Sequence, residues 1–189
     1  RTEPLVYLGR LEELAVFMAG WQGRERPRIE RAQALVFAGN HGVTQQGVNP
    51  FPVEVTAQMV ENFRQGGAAI NQLCRLSGAE LQVIALDLDR PTGDFTQGMA
   101  MEVDDLVAAI QTGKNAVDAQ ADVILLGEMG IGNSTVAAAL AAATFGGTAE
   151  DWVGPGTGAD DEVLARKIAA VEAGLKRHKG AATAASILG

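Results

Sequence analysis

A single cysteine, Cys74, among 189 residues excludes an internal disulfide and leaves no second thiol for a zinc site, which fits a reducing, cytoplasmic setting. Positive charge is also scarce. With 15 Lys and Arg against 23 Asp and Glu the formal charge is −8, so a polyanion meets overall repulsion and nucleic acid is not an expected partner. No run reaches the roughly eighteen apolar residues of a membrane span, so no membrane partner is expected. The start, at Arg1, lacks a basic stretch leading into an apolar segment. Aromatics make up 5% of the chain, whereas glycine contributes 23 residues and alanine is abundant, the composition of a tightly turned, helix-rich α/β protein.

What is present is an alternation of two periods. A hydrophobic share of 47% over 189 residues suits one α/β domain with a sizeable core. LGRLEELAVFMAG, residues 8–20, puts Leu8, Leu11, Leu14, Ala15 and Met18 at helical spacing, and WQGRERPR ends that helix. ALVFAG, residues 34–39, reads as a buried strand. Residues 53–79 read as two helical segments meeting at Gly66 and Gly67. LQVIALDLD, residues 81–89, is a second strand, residues 101–120 an amphipathic helix, and ADVILLGE, residues 121–128, a third strand. STVAAALAAATFGG is a helix with a Gly-Gly stop. DDEVLARKIAAVEAGLKRHK is another, with acids first and bases last as the helix dipole favours. The expected architecture is a three-layer, Rossmann-like α/β fold with a mainly parallel sheet, helices on both faces, and a core spanning residues 34–177. Ligands in such sheets bind beyond the carboxyl ends of the strands, which directs attention to the loops after Gly39, Asp89 and Leu126.

Three loops carry possible chemistry. GEMGIGNST, residues 127–135, has glycines at 127, 130 and 132 and opens a helix with Asn133 and Ser134. Glycines admit close backbone approach, and the free N–H groups of a helix start favour an anion, so the loop reads either as a phosphate or carboxylate cradle or as a plain tight turn with a polar cap. It has the length of a P-loop, but Asn133 stands where the lysine belongs, and its glycine spacing is not that of a dinucleotide fold. Glu128, a carboxylate beside the cradle, is placed to bind ribose hydroxyls or accept a proton. AGNHGVTQQGVNPFP, residues 38–52, carries His41, one of two histidines, for which ligand binding and a bond to a backbone carbonyl are equally open. Pro50 and Pro52 stiffen the chain around Phe51, a flat face for an apolar ligand or an ordinary core residue. In WVGPGTGADDEVLARK, residues 152–167, Gly154, Gly156 and Gly158 precede a helix whose dipole is already matched by Asp160 and Asp161. Lys167, two turns in, either reaches back to a phosphate or is solvated.

Five blocks in order, LGRLEELAVFMAGWQG, VFAGNHGV, EVTAQMVENFRQGGAAINQL, GEMGIGNST and VGPGTGADDEVLARKIAAVE, run through nearly the whole chain. Together they resemble the nicotinate-nucleotide:dimethylbenzimidazole phosphoribosyltransferases of cobamide lower-ligand synthesis. The resemblance implies transfer of phosphoribose from nicotinate mononucleotide to a benzimidazole nitrogen, with release of nicotinate and formation of α-ribazole phosphate. It also implies a homodimer. Carried over by position, Glu128, Met129, Gly130, Asn133 and Ser134 lie against the nucleotide, Gly154, Gly156 and Lys167 near its phosphate, and the segment from Phe51 through Gln58 to Met59 walls the benzimidazole slot. No metal or other cofactor is implied.

The departures set limits on this expectation. The family has Asp where this chain has Asn40, and its KPPGSLGRLE start is here EPLVYLGRLE, so a remodelled first turn is expected. The family's general base is a glutamate in a late RLGEGTGA-type block that these residues lack, and HKGAATAASILG reads as shortened between Lys179 and Ala181. A longer protein, with residues missing from the sequence as given, is the expectation. As given, the chain is expected to bind nucleotide poorly and turn over little. Two readings from other classes stand beside it: a catalytically silent nucleotide- or benzimidazole-binding module, and an NAD-dependent oxidoreductase using Asp87 or Asp89 at a strand end.

Overall fold

A computed structural model describes residues 8–181 and 183–189. In chain order the elements are α1 (Arg10–Gln22), β1 (Ala32–Ala38), a short 3-10 turn (Gly42–Gln46), α2 (Glu54–Arg64), α3 (Ala69–Ser77), β2 (Glu80–Ala85), α4 (Val103–Ala116), β3 (Val123–Met129), α5 (Asn133–Phe145), α6 (Ala149–Trp152), α7 (Asp161–Arg177) and α8 (Ala184–Leu188). The expected remodelling of the first turn falls largely on residues 3–7, outside the described residues.

The three strands form one parallel sheet in the order β2-β1-β3. β1 runs in register with β2 from Gln33 opposite Glu80 to Ala38 opposite Ala85, and with β3 from Ala32 opposite Val123 to Ala38 opposite Met129. Consecutive residues of β1 point to opposite faces, yet Ala34, Leu35, Val36 and Ala38 are all at most 3% exposed, so this strand is covered on both sides as a central parallel strand must be. The chain leaves β1 toward β2 on one side and then crosses to β3 on the other. The crevice at the carboxyl ends of β1 and β3 is therefore the topological switch point, where such sheets take their ligands.

Two corrections concern strand ends. β2 stops at Ala85 rather than Asp89, because Asp87 sits at φ +40°, a left-handed turn that breaks the ladder after Leu86 donates its N–H to Ala38 O at 2.8 Å. β3 runs from Val123 to Met129 where residues 121–128 are expected, one residue further at its end, so the glycine loop proper is only Gly130 to Gly132. Gly66, at φ +78°, separates α2 from α3 as expected. α6 leaves no trace in the sequence pattern. A single turn of four residues gives too few apolar positions to show a period.

Packing above the crevice is made by α5, α6 and α7. Ala138 and Ala142 of α5 are 4% and 5% exposed and Val171 of α7 is fully buried; the alanine face lets α7 lie close, and Ala149, Val153, Ile168 and Leu175 complete the cluster. Val43, Val48 and Ala170, with Phe95 and Val136, tie the loop after β1 to the same two helices. α1 forms, but its apolar stripe stays open: Leu8, Leu11 and Leu14 are 52%, 62% and 47% exposed, because no described element covers them.

Because Leu35 is 1% exposed at the centre of the sheet, Leu35→Ala is expected to lower unfolding stability by about 3 kcal/mol. Urea titration followed by circular dichroism reads this as a lower midpoint at unchanged slope.

Candidate active site

The crevice is built from four segments. Gly39 donates its N–H to Met129 O at 3.0 Å and so stitches the ends of β1 and β3 together. A Cβ on Gly130 would collide with the Gly39 carbonyl and the Asn133 side chain, so only glycine permits that approach. Gly132 takes φ +94° to turn the chain into α5. From α2, the fully buried Thr56 accepts the Ile131 N–H on its Oγ1 at 3.1 Å and fixes the middle of the loop. Sequence reasoning missed Thr56; its one legible signal is the i, i+4 pair with Val60 on the inner face of EVTAQMV.

Lys167 is the unusual member. It is 2% exposed, which corrects the solvated alternative. Its ammonium donates to Ser134 Oγ at 3.0 Å and to Gly154 O at 2.7 Å. It belongs to no ion pair among the described residues. Gly156, at φ +55°, turns so tightly over this pair that a Cβ there would lie 3.1 Å from Ser134 Oγ and 3.2 Å from Lys167 Nζ. Ser134, Gly154 and Gly156 are exposed, so a buried cation lies directly beneath groups that face solvent. Burial pulls the Lys167 pKa down from its ordinary 10.5. A cation met only by neutral acceptors, beside the positive end of the α5 dipole, leaves positive charge uncompensated, the electrostatic condition that favours an anion. The helix start of α7 is by contrast already capped, since Asp160 accepts the Val163 N–H at 2.8 Å.

Glu128 is exposed on β3, opposite Phe37, and the partial burial of its carboxyl pushes its pKa up from 4.5. His41 bonds neither a backbone carbonyl nor solvent alone: Nε2 meets Asn133 Oδ1 and Nδ1 lies 3.5 Å from Thr92 Oγ1. Burial pulls its pKa down from 6.5. Met129, Gly130, Asn133, Ser134, Gly154, Gly156 and Lys167 are thus gathered around one crevice. Phe51 and Gln58 are exposed, Met59 is half-buried and accepts a long contact from Asn62 Nδ2 at 3.9 Å, and from the same helix Thr56 bonds the loop. An apolar cavity of about 450 Å³ is lined by His41 itself together with Val43, Phe95, Met101, Leu175 and Ile187 among others. Among the described residues no group of three or more His, Cys, Asp or Glu could hold a metal ion, and no helix is long and apolar enough to cross a membrane.

Comparison with known proteins matches residues 1–189 to the family DBI_PRT, described as phosphoribosyltransferase. The chain belongs to this phosphoribosyltransferase family. It is 65% identical over 179 residues to the nicotinate-nucleotide--dimethylbenzimidazole phosphoribosyltransferase of Rhodobacter capsulatus, covering 95% of this chain and 54% of that protein. The enzyme of the same name from Mesorhizobium japonicum is 59% identical over 180 residues, with the same coverage of 95% and 54%. Among solved structures, CobT from Thermus thermophilus superposes with a TM-score of 0.86 at 37% identity, covering 99% of this chain and 62% of that one. The chain spans about half the length of the curated relatives it matches.

Within this member of the family two sequence features find a physical account. Asn40 donates its amide to Leu88 O at 3.0 Å, a bond a carboxylate cannot make, while its Oδ1 is buried without a partner among the described residues. Asp87, offered as a dinucleotide ribose ligand, is instead engaged by Arg90 Nε at 3.1 Å, and Arg90 also grips Asp105 at 2.9 Å.

A lysine whose folded pKa lies below its unfolded value costs stability while the pH is under the folded value, and the cost fades as pH rises toward 10.5. Lys167→Met removes that dependence. The melting temperature of the wild type relative to Lys167→Met is expected to rise between pH 7 and pH 10, and differential scanning calorimetry across that range reads it.

Proposed function

We propose that this protein transfers phosphoribose from nicotinate mononucleotide to 5,6-dimethylbenzimidazole, giving α-ribazole phosphate and nicotinate in cobalamin biosynthesis. The observation that carries the reading is the buried Lys167 ammonium, held by Ser134 and Gly154 beneath exposed groups at the start of α5. It supports a phosphate seat for the nucleotide, and the names of the relatives supply the substrate class. The cytoplasm as its location is supported by the free Cys74, and a homodimer by the resemblance.

The reaction breaks the bond from ribose C1′ to the pyridinium nitrogen and forms a bond from C1′ to the azole nitrogen. Nicotinate leaves as a neutral pyridine ring, so the leaving group needs no acid. The attacking azole must lose its N–H proton, and the ribose phosphate must be held still while the bonds exchange. In this assignment Lys167, Ser134, Gly154 and Gly156 hold the phosphate, Met129, Gly130 and Asn133 line the nucleotide, and Phe51, Gln58 and Met59 wall the benzimidazole slot. Glu128, whose pKa is raised by burial, takes part at the ribose or in proton removal, alongside a principal base contributed from outside these 189 residues.

Nicotinate release from nicotinate mononucleotide, dependent on added dimethylbenzimidazole and measured on the protein at its full natural length, tests the proposal. Binding of both compounds without release would support a silent binding module instead. Glu128→Gln is expected to lower kcat at least about tenfold while shifting the melting temperature by less than about 2 °C. The wild-type rate is expected to fall as pH drops through the raised Glu128 pKa, and that acid limb should be absent from the Gln variant's profile.

A further inference from the structure

His41 is the one titratable side chain in the crevice to which the reaction above gives no task. Its backbone is fixed from both sides. Thr44 Oγ1 donates to His41 O at 2.8 Å, Thr92 donates its N–H to Asn40 O at 3.1 Å, and His41 pairs with Thr92 as a parallel bridge. Gly42 is so close to the backbone of residues 92–94 that a Cβ would meet Asp94 N and Thr92 O at 2.6 Å. The imidazole is therefore held between Thr92 Oγ1 on Nδ1 and Asn133 Oδ1 on Nε2. Asn133 opens α5, and its Nδ2 makes no hydrogen bond among the described residues.

We propose that His41 is a positioning residue: by bonding Asn133 Oδ1 it turns the amide oxygen inward and presents Asn133 Nδ2 to the nucleotide. The chemistry follows from the two ends of an amide. A free asparagine rotates to offer either its oxygen or its NH2, and the oxygen repels an anionic or hydroxyl-rich ligand oxygen that has no proton to give. A neutral imidazole has one N–H. Asn133 Oδ1 can only accept, so the close contact with it puts that N–H on Nε2 and leaves Nδ1 as an acceptor facing Thr92 Oγ1 3.5 Å away. The arrangement keeps the donor of Asn133 aimed at the ligand before the ligand arrives, so no rotamer freedom is lost on binding. Thr92, His41 and Asn133 form a relay of orientation, not of protons.

The inference rests on the phosphoribosyltransferase reading. In the protein at its full natural length, His41→Leu, similar in size and without a donor, is expected to raise KM for nicotinate mononucleotide about tenfold, the scale of one hydrogen bond to a charged group, and to change kcat by less than about threefold. His41→Gln, whose amide nitrogen reaches the place of imidazole Nε2, is expected to recover most of that loss. In an Asn133→Ala background His41→Leu is expected to add nothing further. Nitrogen chemical shifts of wild-type His41 are expected to show the Nε2–H tautomer. An unchanged KM in His41→Leu, penalties that add in the double variant, or an Nδ1–H tautomer would overturn the inference. Wild-type protein that neither binds nicotinate mononucleotide nor releases nicotinate would overturn the parent reading, and this inference with it.

Discussion

The arrangement around the crevice depends on one ammonium that has no counter-charge among the described residues. Lys167 reaches from the second turn of α7 to the start of α5 and is sealed from water there, with a hydroxyl and a peptide carbonyl as its partners. Desolvating a cation is costly, and neutral acceptors offset only part of that cost. The fold accepts the burden because other interactions around it are well met. α7 has its own carboxylate cap at Asp160, the loop before α5 is pinned by Thr56, and the ends of β1 and β3 are stitched through Gly39. An anion bound here would offset part of that cost, so its binding would draw on an electrostatic imbalance present before it arrives.

The topology explains why this happens here and not at the other glycine-rich turns. Among the described strands the β1–β3 crevice lies at the reversal of strand order, the place where loops of such sheets diverge to either side. Three connections converge on it: the loop after β1 brings His41, the loop after β3 brings Gly130 to Asn133, and the turn before α7 brings Gly154 and Gly156. The loop after β2 contributes through Thr92 and through the clamp on Asn40, while Asp87 of that loop and Asp105 of α4 are occupied by Arg90. Separate segments supply position, donor and charge, so each can vary without dismantling the rest.

Most of the fold was legible in the sequence because parallel strands and amphipathic helices imprint a period. β1 and β3, the α2–α3 break at Gly66 and the long α7 emerged near their observed limits. Strand ends were less legible. The left-handed turn at Asp87 ends β2 early although LDLD continues the alternation, and Met129 extends β3 into what reads as a glycine loop. At the site, glycine spacing exposed the cradle, whereas the burial of Lys167 was invisible, since a lysine in ARK on an otherwise amphipathic helix carries no mark of which way its ammonium points. The His41–Asn133 contact joins residues 92 positions apart, and no local pattern records it.

The run of alanines in α5 has a consequence beyond close packing. Ala138 packs in one cluster with Val171 of α7, and one turn earlier on α7 Lys167 leaves the helix and its charged tip meets Ser134 of α5. Interhelical spacing thus acts as a ruler for where the charge is delivered. A larger side chain at Ala138 would press α7 outward and shift that tip while leaving every residue that bonds it unchanged. The position of the charge is in this sense set from the hydrophobic interior, by residues that make no bond to the ammonium.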